Sequence, residues 1–217
     1  LAKVDFTIYK HPFNFAQIHE YLDHIEKGNP AVKAAIDIAL NDLNGKILNQ
    51  PCYKIFGSDP EKMPVTSYTV GIDTPAVIRE KLKDADAFKV IKVKLGRDND
   101  KELIKTIRSV TNLPLFVDAN QGWSFDDALF ALTELEKFNI EFCEQPMRTW
   151  FDDQLPELST NSPIALMADE SCYNHHDARK LINSQSTTFL NIKFSKSGGI
   201  LEAQKIHEVA LQKGVKC

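Results

Sequence analysis

The feature that most restricts how this chain can fold is a recurrence: short apolar runs, each closed by an ionisable residue, return at a nearly constant interval. Asp118 closes Leu115-Phe116-Val117, Glu144 closes Ile140 to Cys143, and Asp169 closes Ile164 to Ala168, at intervals of 26 and 25 residues. That is about the length of one strand and one helix, so the runs read as successive strands of a parallel sheet joined by crossover helices. Lys92-Val93-Lys94 holds the strand-end position one unit earlier, and Lys193 one unit later. Five consecutive charged tips would converge on the carboxyl edge of such a sheet, the face where α/β enzymes place their chemistry.

The rest of the chain divides near residue 64. Beyond it, strands are expected near 67–73, 89–94, 114–118, 139–144, 163–168 and 189–193, with amphipathic helices near 75–86, 99–111, 124–137, 151–159, 175–183 and 199–213. Gly214-Val215-Lys216-Cys217 reads as the opening of a seventh strand. An open doubly wound sheet gathers its ligand at one switch point. Polar groups at every tip from the second to the sixth suit a closed ring better. The expected fold is therefore α/β, a TIM-like barrel of (β/α)7β type. A full barrel takes about 250 residues, so one or two C-terminal units are expected beyond this chain. Before residue 64 the period is helical: Phe15, Ile18, Leu22 and Ile25 repeat at spacings of three and four, as do Val32, Ile36, Ala39, Leu40, Leu43 and Ile47. Asn29-Pro30 offers the second helix an N-cap and a first-turn proline. Gly57 to Pro64 is the connector between a partial helical domain, 1–63, and the barrel domain, 64–217.

Composition narrows the class. With 217 residues, 43% apolar and 26% charged, the chain can bury one large core or two modest ones. A net charge of −4 gives no basic surface for nucleic acid. Cys52, Cys143, Cys172 and Cys217 lack metal-type spacing, and Cys143 lies within an apolar run, which favours free thiols in a reducing, cytoplasmic setting. No apolar segment approaches the roughly 20 residues that span a bilayer, and no signal-type N-terminus is visible. The lack of an initiating Met, and a last residue inside a strand-like start, suggest missing flanking sequence.

Side-chain direction sharpens the site. Alternate strand residues face opposite ways, so Ile91, Val93 and Leu95 share one face and Lys92 and Lys94 the other. Helices cover the outside of a barrel, which turns the two lysines inward. Solvated lysines on an edge strand are the alternative; three carboxylates on neighbouring tips weigh against it, because a barrel interior accepts cations only when they are paired or functional. Asp118 or Asp169 alone could be a helix cap. Glu144 resists that reading, since Gln145-Pro146 follows it. Three carboxylates without a third His or Cys suit a hard cation, and Mg²⁺ is the first choice. The six histidines fall in helices or loops rather than at tips, which disfavours zinc.

Taken together, Lys92-Val93-Lys94, Val117-Asp118-Ala119-Asn120-Gln121-Gly122-Trp123, Glu144-Gln145-Pro146, Ala168-Asp169-Glu170-Ser171 and Asn191-Ile192-Lys193 with Gly198-Gly199 resemble the enolase superfamily, muconate-lactonizing subgroup. Their wording is most similar to that of the dipeptide epimerases. The likeness runs from about residue 12 to the end, and the helices of 1–63 resemble the later part of that family's capping domain. The resemblance implies that Asp118, Glu144 and Asp169 bind Mg²⁺, that Lys94 and Lys193 are acid/base groups on opposite faces of the substrate, and that Lys92 helps hold the substrate carboxylate. A lysine base with Mg²⁺ stabilising an ene-diolate is the superfamily's established pattern. The implied activity is 1,1-proton transfer at the α-carbon of a dipeptide carboxylate through an enolate, of the L-Ala-D/L-Glu type or a relative. A racemase of N-acylated amino acids, a cycloisomerase of the subgroup, or an inactive ligand-binding fragment are the alternatives. The implied partner is a small molecule, without nucleic acid or membrane, in a possible homo-oligomer.

Further expectations concern the surroundings. A lysine close to a metal and a second cation should have its pKa moved down towards the working pH. Asn120 and Asn191 share inward faces with Asp118 and Lys193 and would orient ligands or touch substrate; Ser67 and Thr69 would line the pocket or simply pack. Glu170 should turn away from Asp169. Gly198-Gly199 and Lys196 would form an anion site at a helix N-terminus or a tight turn. The Asp-x-Asp that holds the substrate ammonium on the eighth strand of the dipeptide epimerases has no counterpart here, because no such strand is expected within this chain; Asp84-Ala85-Asp86 has the letters but sits at an expected helix end.

Overall fold

The computed structural model describes residues 3–8, 11–96 and 100–217. The apolar runs form six parallel strands in sequential order: β1 (Tyr68–Val70), β2 (Ile91–Lys94), β3 (Leu115–Asp118), β4 (Ile140–Glu144), β5 (Ala165–Ala168) and β6 (Phe189–Leu190). No strand is inserted out of order, so the sheet has no switch point and forms the wall of a barrel. Lys216 adds to it: Phe189 bridges Lys216, and Leu190 N donates to Lys216 O at 2.9 Å. The expected seventh strand thus makes its first pairing.

The helices after the first strand are α4 (Pro75–Lys81), α5 (Asp100–Arg108), α6 (Phe125–Leu135), α7 (Leu155–Asn161), α8 (His175–Asn183), α9 (Phe194–Ser197) and α10 (Ile200–Gln212), preceded by α1 (Phe15–Ile25), α2 (Pro30–Leu48) and α3 (Cys52–Ile55). Local chemistry starts them. Ser124 accepts from Asp127 N at α6, and Asn174 makes a full capping box with Asp177 at α8. The outward faces of the strands, with Val70, Ile91, Val93, Leu115, Val117, Cys143, Leu166 and Leu190, are buried in one core with Ile78, Ile104, Ile107, Leu132, Leu158, Leu181 and Ile206 of the helices. Each such side chain stabilises the wall by about 1.5–3 kcal/mol. The inward face carries the lysines and carboxylates. Two residues before Asp118, Glu144 and Asn191 lie Phe116, Phe142 and Phe189, whose rings stack in sequence with centroids 4.1 and 5.0 Å apart. The charged layer therefore rests on an aromatic floor.

Several boundaries differ from expectation. The first strand is only three residues long, and the helix expected over 75–86 divides into α4 and a 3₁₀ segment, Leu82–Ala87. The helix expected at 151–159 begins as a 3₁₀ turn, Thr149–Gln154, before α7. Position 99, the expected start of the helix near 99–111, lies outside the described residues. The sixth strand stops at Leu190, because the chain leaves the ladder to enter α9, a four-residue helix that hydrophobic period is too short to reveal. Asn29 stands at the N-cap of α2, but in the left-handed region (φ 51) and without a side-chain cap; Pro30 alone fulfils its expected role.

In the N-terminal segment Ile18, Leu22 and Ile36 form a separate small cluster. A neighbouring face of α2, with Lys33 and Asp37, meets α9 and α10. There, of the two alternatives for Gly198-Gly199, the turn holds and the anion site does not: Gly198 ends α9 in the left-handed region, and the N-terminus of α10 is occupied by the chain's own Asp37, whose Oδ2 accepts from Ile200 N at 2.6 Å. Gly199 has φ 127, and a Cβ on it would lie 2.5 Å from Asp37, so only glycine fits. Among the described residues no helix is long and apolar enough to cross a membrane.

Candidate functional site

The strand tips bring the predicted residues together. Lys94 Nζ donates to Asp118 Oδ2 at 2.6 Å and to Asn120 Oδ1 at 2.7 Å. Lys92 Nζ lies 2.9 Å from the same Asp118 oxygen and also bonds Glu144 Oε2. Asn191 Nδ2 donates to Glu144 Oε1 at 2.7 Å. Lys193 Nζ pairs with Asp169 Oδ2 and stands 4.0 Å from Glu144 Oε1. Register explains the grouping: Lys94, Asp118 and Glu144 are direct neighbours across β2, β3 and β4. Asp118, Glu144 and Asp169 are all buried. Lys94 and Lys193 flank them from opposite sides of the row, on the second and sixth units.

Exposure separates the lysines. The side chains of Lys94 and Lys193 are 34% and 45% exposed, while those of Lys92 and Lys196 are 19% and 10% exposed. The first two reach the open mouth; the second two are counter-ions within the wall. Thr69 is a register neighbour of Lys92 and shares the inward face, but it is exposed and its hydroxyl bonds none of these groups among the described residues. One buried oxygen of Glu170 has no hydrogen-bond partner among the described residues.

Burial and pairing oppose one another at each charge. Burial disfavours the ammonium of Lys92, but the bonds from Glu144 and Asp118 outweigh it and raise its pKa. Burial pushes the Glu144 carboxyl up, against the hydrogen bond from Lys92. For Asp169, burial is outweighed by Lys193 and Lys196, which hold it below the usual carboxylate range. At Lys193 burial favours the neutral form, but with no metal on the carboxylates the bond to Asp169 prevails and raises its pKa.

The donor set fits Mg²⁺ in kind. Three buried carboxylates on adjacent tips supply hard oxygen donors, and those oxygens already hold cations, the lysine ammoniums. Among the described residues no three of them close on a common point, because the Lys92 ammonium lies between Asp118 and Glu144, and Lys193 and Lys196 hold Asp169. A divalent ion here would compete with ammonium for the same oxygens.

Two residues of the site escaped the sequence. Lys196, read there as part of an anion site, instead pairs with Asp169 Oδ1 and donates to the Asp169 carbonyl and to Asn191 O. Asp100, largely buried, accepts from Gly96 N at 2.9 Å and from the Trp123 indole at 3.3 Å. It braces the turns after β2 and β3, where Gly96 and Gly122 pack backbone to backbone; a Cβ on either would lie 2.8 Å from Ala119 O. Trp123 was visible as a motif residue, but no local pattern announces its partner 23 positions upstream.

Residues 77–217 match the family model described as enolase C-terminal domain-like, and residues 4–57 match the mandelate racemase / muconate lactonizing enzyme N-terminal domain. The whole chain is 44% identical to an L-Ala-D/L-Glu epimerase of Bacteroides thetaiotaomicron, of which it covers 56%. Over 95% of its length it is 36% identical to a hydrophobic dipeptide epimerase of Enterococcus faecalis, covering 60% of that protein. A crystal structure of a dipeptide epimerase from Cytophaga hutchinsonii, complexed with Mg and D-Ala-L-Val, superposes with a TM-score of 0.90 at 36% identity, over 95% of this chain and 58% of that one. The chain thus spans little more than half the length of the relatives it matches.

Proposed function

We propose, starting from the fact that this chain belongs to the enolase superfamily and its mandelate racemase / muconate lactonizing branch, that it carries the acid/base half-sites of a Mg²⁺-dependent dipeptide epimerase of the L-Ala-D/L-Glu type or a relative. The observation that carries this reading is the placement of Lys94 and Lys193 on either side of one buried row of carboxylates. Inversion at a carbon needs a proton removed from one face and another delivered to the opposite face, hence two groups facing each other across the substrate.

The α-proton of a carboxylate is a weak acid, because its loss adds a second negative charge to the same group. Asp118, Glu144 and Asp169 would hold Mg²⁺, which supplies positive charge that stabilises that developing charge more than the ground state. Lys92, half-buried beside the row, adds a fixed cation on the same side. Lys94 Nζ takes the proton on one face, and Lys193 delivers one on the other; exchanging roles serves the opposite epimer. Asn120 and Asn191 orient Lys94 and Glu144 by the hydrogen bonds they make. The aromatic floor excludes water from below, which strengthens every electrostatic contact above it.

The test is isotope exchange. L-Ala-L-Glu and other dipeptides are incubated with the protein and Mg²⁺ in D₂O, and label at the α-carbon is followed by NMR. Label in at least one dipeptide is expected. Label confined to N-acylated amino acids would move the reading to a racemase, and no label in any of them rejects proton transfer.

A further inference from the structure

Gln145 follows Glu144 and is 1% exposed, and its side chain uses the full hydrogen-bonding capacity of a carboxamide. Oε1 accepts from Asp169 N at 2.9 Å and from Ser171 N at 3.2 Å. Nε2 donates to Ser171 Oγ at 2.8 Å and to Met147 O at 3.0 Å. The orientation of the amide is dictated by its partners, since two backbone N–H groups accept nothing and must face the oxygen. Ser171 Oγ in turn donates to Asp152 Oδ1 at 2.6 Å, which turns its lone pairs towards Gln145. The backbone of Gln145 continues the tie, with its N donating to Met167 O at 2.8 Å and its O accepting from Gln121 N at 2.8 Å. One residue therefore joins the tips of β3, β4 and β5. It does so with φ 38, in the left-handed region that a side chain adopts only when its surroundings demand it.

We infer that Gln145 is a positioning residue that sets the separation of Glu144 and Asp169, and hence the affinity of the row for a divalent cation, by clamping the Asp169–Ser171 backbone to the β4 tip. The inference rests on the Mg²⁺ reading of the site. Among the described residues the carboxamide bonds neither the lysines nor the three carboxylates, so it acts through the backbone groups and the Ser171 hydroxyl it grips. Residues that orient ligands in this way change metal affinity by about 10–100-fold when removed.

Gln145→Met keeps the volume and charge and removes all four bonds; Ser171→Ala removes one acceptor of Nε2, together with the bond to Asp152, and leaves the two bonds to Oε1 in place. Mg²⁺ alone is titrated into the full chain by calorimetry, with thermal unfolding measured in parallel. In Gln145→Met the affinity is expected to fall at least tenfold, and in Ser171→Ala by a smaller factor in the same direction. Unchanged affinity in Gln145→Met, even with a lower Tm, overturns the inference and leaves the metal reading intact. Should Gln145→Met not fold, Ser171→Ala decides, and unchanged affinity there overturns it equally. Failure of the unaltered protein to bind Mg²⁺ removes the metal reading itself, and the inference with it.

Discussion

Asp37 on α2 accepts a 2.6 Å hydrogen bond from the backbone N–H of Ile200, the first residue of α10, across 163 positions of sequence. Its carboxylate is fully buried, with His19 Nε2 at 2.7 Å and Asn41 Nδ2 at 3.3 Å completing the shell. A negative charge at a helix N-terminus meets unpaired N–H groups and the positive end of the dipole. This contact fastens the N-terminal helices to the segment that follows Lys193. Asp37→Ala would remove the acceptor of the half-buried Ile200 N and the partner of His19, at an expected cost of about 1–3 kcal/mol. Urea denaturation reads it directly, and an unshifted midpoint would contradict the latch. Gly199→Ala should also destabilise, since its Cβ would meet Asp37.

The two lysines should be separable by face. Lys94→Ala and Lys193→Ala are each expected to lower α-proton exchange by at least about 100-fold, the lower range for a lost acid/base group, but each from one substrate epimer. NMR of L-Ala-L-Glu and L-Ala-D-Glu in D₂O distinguishes the cases. Equal loss from both epimers would reject a two-base mechanism.

Lys92 holds the place between Asp118 and Glu144, so its loss should expose their repulsion. Lys92→Met is expected to lower Tm in the presence of a chelator, and added Mg²⁺ to recover more of the loss than it adds to the unaltered protein, because a ligand that binds only the folded state stabilises it by mass action. Equal Mg²⁺-induced shifts in the two proteins would show that ammonium and metal do not share this position.

Glu202 on α10 accepts from His175 N at 2.9 Å and faces the His175 ring and Lys205. Burial would raise its carboxyl, but these bonds outweigh it and lower the pKa. A lowered folded pKa means stability that is complete above the unfolded value of about 4.3 and is lost as pH falls through the folded pKa. Glu202→Gln should therefore be less stable than the unaltered protein at pH 7, with the gap narrowing below about pH 4. Denaturation midpoints from pH 7 to pH 3 test the sign; a gap that widens in acid would refute it.

The row of site residues was legible because it depends on local rules. Period-two alternation turned Lys92 and Lys94 inward, and the repeat of 25 and 26 residues put Asp118, Glu144 and Asp169 at one edge; both follow from strand geometry and crossover length. Asp100, Lys196 and the carboxamide of Gln145 were not legible in those roles, because each acts on a partner set by how two tips dock. The end of β6 and the existence of α9 also depended on that docking.

By itself the sequence determined the order of the units, the charge carried by each tip and the face on which it lies, since these are properties of neighbours along the chain. Only the tertiary structure decided which carboxylate each lysine holds, that Lys196 joins Lys193 on Asp169, and that Asp37 rather than an external anion caps α10. Those outcomes depend on distances of a few ångströms between groups far apart in sequence, and electrostatic and hydrogen-bond energies at such distances are settled only when the elements pack.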